Sequence, residues 1–112
     1  MADILSAYYE AMNKHNMEDI LTYIHSDIAV TFPESERNWQ GVENVRIKFG
    51  GMFEKMPTFR GDYVISNIEE NDNAIYLHTK CTFKCQQTNF NSSRPMIYTI
   101  NNTNKITKIQ HL

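Results

Sequence analysis

The sequence has few cysteines, no cluster of basic residues and no long apolar run. Its two cysteines, Cys81 and Cys85, would lie roughly 13 Å apart on one extended strand, beyond disulfide reach. We therefore expect reduced thiols, with Cys81 buried and inert. Eleven Lys and Arg are scattered among thirteen Asp and Glu, for a net charge of −2. This pattern lacks the basic surface that binds nucleic acid.

No segment approaches the ~20 consecutive apolar residues of a membrane span, and the N-terminus does not resemble a secretion signal. We therefore expect neither a nucleic-acid nor a membrane partner, and a cytoplasmic protein. His15, His25 and His78 lack the spacing of metal ligands, so we expect no metal site and no cofactor.

What the sequence does contain is enough apolar area for one core. Hydrophobic residues make up 41% of 112 residues and aromatic residues 12%. A chain of this length supports one core but not two, because small domains bury too little surface to divide it. We expect a single domain over residues 1–112.

The first half of the chain has helical periodicity. Apolar residues recur every three or four positions over 4–15, 17–25 and 42–56, which predicts three helices, and Asn16 with Asp19 resembles a capping box. A β-branched and aromatic run over 28–32, ended by Pro33, predicts a strand. Gly50 and Gly51 fall inside the third helix and indicate a bend or a close backbone contact.

From residue 61 the apolar period changes to two. Runs near 61–70, 74–87, 94–101 and 104–111, separated by Asn-rich turns, predict four antiparallel strands. Helices followed by strands is the order of an α+β fold, in which helices cover one face of a curved antiparallel sheet.

Several short segments of the chain then resemble a known family. These are Tyr8-Tyr9-Glu10-Ala11-Met12-Asn13, Ile20-Leu21, Ser26-Asp27-Ile28-Ala29-Val30, Trp39-Gln40-Gly41 and Val45-Arg46. Their order is similar to the opening of nuclear transport factor 2-like proteins, which include ketosteroid isomerases and SnoaL-like polyketide cyclases. The resemblance implies a cystatin-like cone, with three N-terminal helices packed on a strongly curved antiparallel sheet and a pocket between them.

The resemblance also implies where catalytic residues would stand. Tyr8 matches the tyrosine that stabilises an oxyanion in the isomerases. Phe32, directly before Pro33, stands where the isomerase has its proton-transferring Asp, and Met96 stands where it has a second, protonated Asp. Neither side chain can exchange a proton. We therefore expect no ketosteroid isomerase chemistry.

His111 is the remaining acid/base candidate, because it is in phase with Ile109 on the last strand and points inward if the family register applies. Tyr8 could equally be a core tyrosine, and His111 an ordinary polar residue near the chain end. The charged segment 34–37 predicts a solvated loop at the pocket mouth. The predicted pocket residues are Tyr8, Met12, Phe32, Trp39, Met52, Met56, Met96, Tyr98 and His111. Aromatic and methionine side chains also fill ordinary small cores.

Three functions remain open. The first is a SnoaL-like binding domain whose cone contains a small apolar molecule, oriented by Tyr8, Tyr98 and His111. The second is a SnoaL-like enzyme, an isomerase, cyclase or dehydratase, that uses His111 and Tyr8. The third is a homodimeric interaction module that pairs through the outer sheet face near Tyr76, His78, Lys80 and Thr82. We expect a homodimer through this face.

Overall fold

The computed structural model describes residues 2–112 and contains three α-helices and a six-stranded sheet. The helices are α1 (Ala2–Asn13), α2 (Met17–Thr22) and α3 (Val42–Lys55). The strands are β1 (Ile24–Thr31), β2 (Trp39–Gln40), β3 (Arg60–Glu70), β4 (Ala74–Cys85), β5 (Phe90–Asn101) and β6 (Ile106–His111), in the spatial order β2-β1-β6-β5-β4-β3. A short 3₁₀ turn, Ser35–Arg37, precedes β2.

The α+β fold class predicted from the sequence is confirmed, with helices packed on one face of the sheet. The sheet is mixed rather than wholly antiparallel, because β1 runs parallel to β6 while every other described pair is antiparallel. A parallel pair requires a long crossover connection, here the whole of the chain from α3 to β5. Bulges in β1, β3 and β6 interrupt the ladders and bend the strands around the helices.

The core lies between the helices and the inner face of the sheet. Alternate residues of β4 and β5 are buried, among them Leu77, Cys81, Tyr98 and Ile100. Both cysteines are free thiols buried on β4, whereas the sequence analysis expected burial only for Cys81. The residues of β4 that alternate with the buried ones, such as Tyr76, His78 and Lys80, point to the outer face.

Helix α1 ends two residues before its predicted end. His15 adopts a positive φ of 55°, which the α-helix does not permit. The His15 and Asn16 amides donate to the carbonyls of Met12 and Ala11, the pattern of a Schellman motif. The His15 ring also hydrogen-bonds the Phe59 carbonyl at 2.9 Å, which anchors this end of α1.

Helix α2 and strand β1 divide the chain differently from the prediction. The Asn16 side chain accepts a hydrogen bond from the Asp19 amide, so the predicted cap is confirmed. The helix, however, stops at Thr22 instead of residue 25, and β1 begins at Ile24 instead of residue 28. Ile24 lies four residues after Ile20 and so fits the helical period, but it is the buried first residue of β1 and pairs with Ile106 of β6.

Helix α3 is continuous through its two glycines. A Cβ atom added to Gly50 or Gly51 would have no heavy atom within 4 Å, so the predicted close backbone contact is absent at both positions. Close contact occurs instead at Gly61, where an added Cβ would lie 2.7 Å from the Met12 side chain. None of the helices in residues 2–112 is long and apolar enough to cross a bilayer.

The hairpin between β4 and β5 is tighter than predicted. Strand β4 ends at Cys85, and β5 begins at Phe90, within the segment predicted as a loop. Asn89 takes a positive φ of 54° and closes the turn, which allows Cys85 to pair with Phe90. This extension adds to β5 two positions of the same parity as Met96, residues 90 and 92.

Candidate functional site

A cavity of about 280 Å³ opens between α1, α3 and the sheet. Its lining includes every predicted pocket residue except Phe32, namely Tyr8, Met12, Trp39, Met52, Met56, Met96, Tyr98 and His111. They come together because α1, α3 and β5 each turn one apolar face toward the same space. The volume is near the lower end of the range of about 300–1,000 Å³ usual for ligand pockets.

Phe32 lies outside the cavity lining, although it was predicted to face the interior beside Tyr8. It is half-buried and follows the last residue of β1, so it no longer obeys the strand's alternation. Its ring stacks on His111, with centroids 4.2 Å apart and planes at 14°. The Arg37 guanidinium lies 4.8 Å from the same ring centroid. Phe32 therefore supports two cavity residues from outside.

Tyr8 is buried on α1 and contacts the rings of Tyr9 and Tyr98 edge-on. Burial raises the pKa of its hydroxyl above the ordinary value of 10.0, so the group is neutral at pH 7. Within residues 2–112 no protein group hydrogen-bonds this hydroxyl, and no fully buried polar side-chain atom is left without a partner. We infer that the Tyr8 hydroxyl faces the cavity and can still donate.

Tyr98 belongs to a hydrogen-bond chain that the sequence did not indicate. Its hydroxyl lies 2.7 Å from that of Tyr9, and Tyr9 donates to Cys81 Sγ at 3.1 Å. Cys81 Sγ lies 3.2 Å from Thr79 Oγ1, which donates to the Met96 carbonyl at 2.9 Å. Since a carbonyl only accepts, each earlier group must donate to the next. The Tyr98 proton is therefore directed to Tyr9.

His111, on β6 opposite Met96, is half-buried in the cavity wall. The pKa of its ring is lowered from 6.5 to about 4, chiefly by burial and to a smaller extent by the positive charges of Arg94 and Arg37, against a raising contribution from the hydrogen bond with the Thr31 carbonyl. The ring is therefore neutral at pH 7. Nδ1 lies 3.2 Å from the Thr31 carbonyl and must donate to it. Nε2 is left as an unprotonated acceptor.

Two arginines, Arg37 and Arg94, also line the cavity. Arg94 is half-buried on the inner face of β5, two residues before Met96. Arg37 is an exposed residue of the 3₁₀ turn and pairs with Glu34 at 3.6 Å. No aspartate or glutamate lies in the cavity wall, as far as the chain is described, and no three metal-binding side chains converge in residues 2–112.

The sequence analysis missed several cavity residues. Arg94 could have been found, since it has the same parity as Met96 and Tyr98 on a predicted strand. Arg37 was assigned only to a solvated loop at the pocket mouth. Most of the aromatic wall was also missed because its members come from different elements: Phe49, Phe59, Phe83 and Phe90.

The fold and the cavity together define an α+β cone of the nuclear transport factor 2-like class, with an apolar interior open at one end. A family model described as a SnoaL-like domain matches residues 5–108, and the chain belongs to that family. The superfamily assignment made from the sequence is thereby confirmed. No curated protein is a significant sequence match.

Solved structures share this fold at low sequence identity. A cystatin-like protein of unknown function from Nostoc punctiforme aligns with a TM-score of 0.76 and 16% identity over 97% of this chain and 84% of its own. A putative SnoaL-like polyketide cyclase from Shewanella denitrificans gives 0.68 and 14% over 98% and 87%. TerC, co-crystallised with polyporic acid, gives 0.67 and 12% over 98% and 88%. At such identities these likenesses establish the fold alone.

Proposed function

We propose that this protein is a SnoaL-like binding domain whose cavity takes up a small, largely apolar molecule, without ketosteroid isomerase chemistry. The observation that carries the proposal is the cavity itself, about 280 Å³ in volume and lined mainly by methionine and aromatic side chains. An unfilled apolar space of this kind costs stability unless a ligand occupies it, because its walls lose packing contacts.

Three polar groups would orient the ligand. The Tyr8 hydroxyl has no protein acceptor in the described chain and is free to donate, and His111 Nε2 is free to accept. The Tyr98 hydroxyl donates its hydrogen bond to Tyr9, so it can only accept a hydrogen bond from a ligand. A few polar groups in an apolar wall is the usual composition of a ligand pocket. The co-crystallised acid of TerC, a protein of the same fold, is consistent with such a use.

The enzyme alternative, with His111 as general acid or base, is less well supported. An efficient acid or base has a pKa near the working pH, whereas the pKa of His111 is lowered to about 4 by burial and by two arginines. The isomerase carboxyls are replaced by Phe32, which lies outside the cavity, and by Met96. Binding therefore requires fewer assumptions than turnover.

The proposal is tested by filling the cavity from α3. Met52→Trp places a large ring in the cavity, and Ile47→Trp places the same ring on the solvent side of the same helix, where Ile47 is 65% exposed. Binding of the neutral probes decanol and 4-phenylbutanol is measured by ligand-observed NMR. We expect the unchanged protein and Ile47→Trp to bind both, and Met52→Trp to bind neither while retaining its fold by circular dichroism.

Native mass spectrometry of the purified protein provides a second measurement, because a co-purified small molecule would appear as added mass that Met52→Trp loses. If neither alcohol binds the unchanged protein, no charged probe with the same apolar body binds it either, and no added mass is present, the proposed function is wrong.

A further inference from the structure

We propose that the ligand of this cavity carries a carboxylate, which binds Arg94 and Arg37 at the cavity mouth while its apolar part occupies the interior. This inference rests on the proposed function and specifies the chemical class of the ligand. It comes from the two cationic side chains in an otherwise apolar wall.

Arg94 provides the main support. Its side chain is on the inner face of β5 with Met96 and Tyr98, and it is half-buried. No hydrogen bond or ion pair connects its guanidinium to any other group in the part of the chain that the structure describes. A partly desolvated guanidinium without a partner is costly, and its planar donors match a carboxylate in a two-point contact.

Arg37 lies at the same opening. Its ion pair with Glu34 joins two side chains that are 60% and 55% exposed, so water screens it and little stability depends on it. Its contact with the Phe32 ring orients the guanidinium at the mouth, and His111 stacks on the same ring. The influence of both arginines on the His111 ring indicates that their charges act on the same space.

The rest of the wall offers nothing to neutralise these charges. The chain has a net charge of −2, yet none of the described cavity residues is acidic, and His111 is neutral at pH 7. The cavity mouth thus carries two arginines above an apolar interior, of which only Arg37 has an acidic neighbour, the exposed Glu34. Electrostatic complementarity then favours an apolar anion over a neutral or cationic molecule of the same size.

The experiment compares probes that share an apolar body and differ in one group: decanoate with decanol, and 4-phenylbutyrate with 4-phenylbutanol. Affinities are measured by isothermal titration calorimetry at pH 7.5 and low salt. The variants are Arg94→Gln and Arg37→Gln, which keep a polar side chain and remove the charge. Lys80→Gln removes one charge from the outer face of β4 and is the matched control.

We expect the unchanged protein to bind each carboxylate about 10- to 100-fold more tightly than its alcohol, the range given by a hydrogen bond to a charged group. Arg94→Gln should abolish most of this preference and Arg37→Gln should reduce it, where the preference is the ratio of carboxylate to alcohol affinity measured within each variant. Lys80→Gln should match the unchanged protein.

The outcomes separate the two proposals. If alcohols and carboxylates bind with equal affinity, or Lys80→Gln loses as much carboxylate affinity as Arg94→Gln, the carboxylate inference is wrong and apolar binding stands. If carboxylates bind and Met52→Trp does not weaken them, they bind outside the cavity, and the inference is wrong. If no probe of either kind binds, the proposed function fails, and the inference with it.

Discussion

At the residue scale, the tyrosines around the cavity differ in what their hydroxyl protons do. The Tyr98 and Tyr9 hydroxyls donate along a chain of hydrogen bonds that ends at the Met96 carbonyl, so both are used in hydrogen bonds within the protein. Tyr8 has no such acceptor in residues 2–112, although its ring contacts both of the others. Three similar side chains therefore divide into two structural donors and one available donor.

The first prediction concerns His111 and pH. Its pKa is about 4 in the folded protein and 6.5 when unfolded, so between these values the unfolded chain binds the extra proton. The stability contributed by neutral His111 is complete above pH 6.5 and is lost as the pH falls toward 4. We expect a loss of about 1–2 kcal/mol, less than the full shift because the ring is partly exposed.

Urea unfolding of the unchanged protein and of His111→Gln, at pH 7, 6, 5 and 4, measures this contribution. The glutamine cannot titrate, so the difference between the two free energies of unfolding should change over this range. Two parallel profiles would show that the ring is not desolvated in the folded protein.

At the element scale, the Asn13 side chain joins α1 to β3 through hydrogen bonds to both backbone groups of Gly61. Asn13 donates to the Gly61 carbonyl at 2.9 Å and accepts from the Gly61 amide at 2.7 Å. The Met12 and Phe83 side chains also lie close to Gly61, where an added Cβ would be 2.7 and 3.0 Å from them. This contact determines how α1, and with it Tyr8, lies against the sheet.

We therefore predict that Asn13→Ala lowers the free energy of unfolding by about 1–3 kcal/mol, because it leaves two partly buried backbone groups without partners. Asn67→Ala, at an exposed position of β3, is the control and should change stability by less than about 0.5 kcal/mol. Chemical denaturation checks both. Equal effects of the two substitutions would contradict the role assigned to Asn13.

Helix α3 gives a second prediction at this scale. Gly50 and Gly51 lie in a regular helix with open space around each, so alanine at either position should raise the free energy of unfolding by about 1 kcal/mol through helix propensity. Gly61→Ala should give no such gain, because its Cβ would contact Met12 and Phe83. If Gly51→Ala destabilises the protein, α3 must bend at the glycines.

At the scale of the whole molecule, the sheet has helices on one face only. Its outer face carries Tyr76, His78 and Ile97, all partly buried, and an exposed Val64. His78 contacts Glu69 at 2.6 Å on this surface. We propose that two copies of the chain pair through this face, since a mixture of apolar and polar residues is typical of interfaces between separately folded subunits.

The corresponding prediction is a dimer in sedimentation velocity at concentrations on the order of tens of micromolar, a range that detects micromolar affinity. Ile97→Glu should produce monomers because it buries a carboxylate in the interface. Ile47→Glu, on the solvent side of α3, should remain dimeric. A monomer of the unchanged protein at these concentrations would rule out this interface.

The sequence by itself determined the resemblance to the family and the order and type of the elements, except for the short β2 and the 3₁₀ turn before it. It did so because the periods of 3.6 and 2 follow from backbone geometry and need no knowledge of distant contacts. For the same reason, the sequence predicted that Met96 and Tyr98 share one face of a strand and that Tyr8 lies on the buried face of α1. The C-terminal end of α2 and the start of β1 were not predictable in this way, because Ile24 lies four residues after Ile20 and fits the helical period although it begins a strand.

Only the tertiary structure decided what the cavity wall contains. The tight turn at Asn89 extended β5 beyond its predicted start and so added Phe90 and Ser92 to the wall. Phe32 lies outside the wall because β1 ends at Thr31. The low pKa of His111 arises from burial and from two arginines distant in sequence. Electrostatic interactions and desolvation depend on the distances between groups on different elements, and those distances are set only when the helices pack on the sheet.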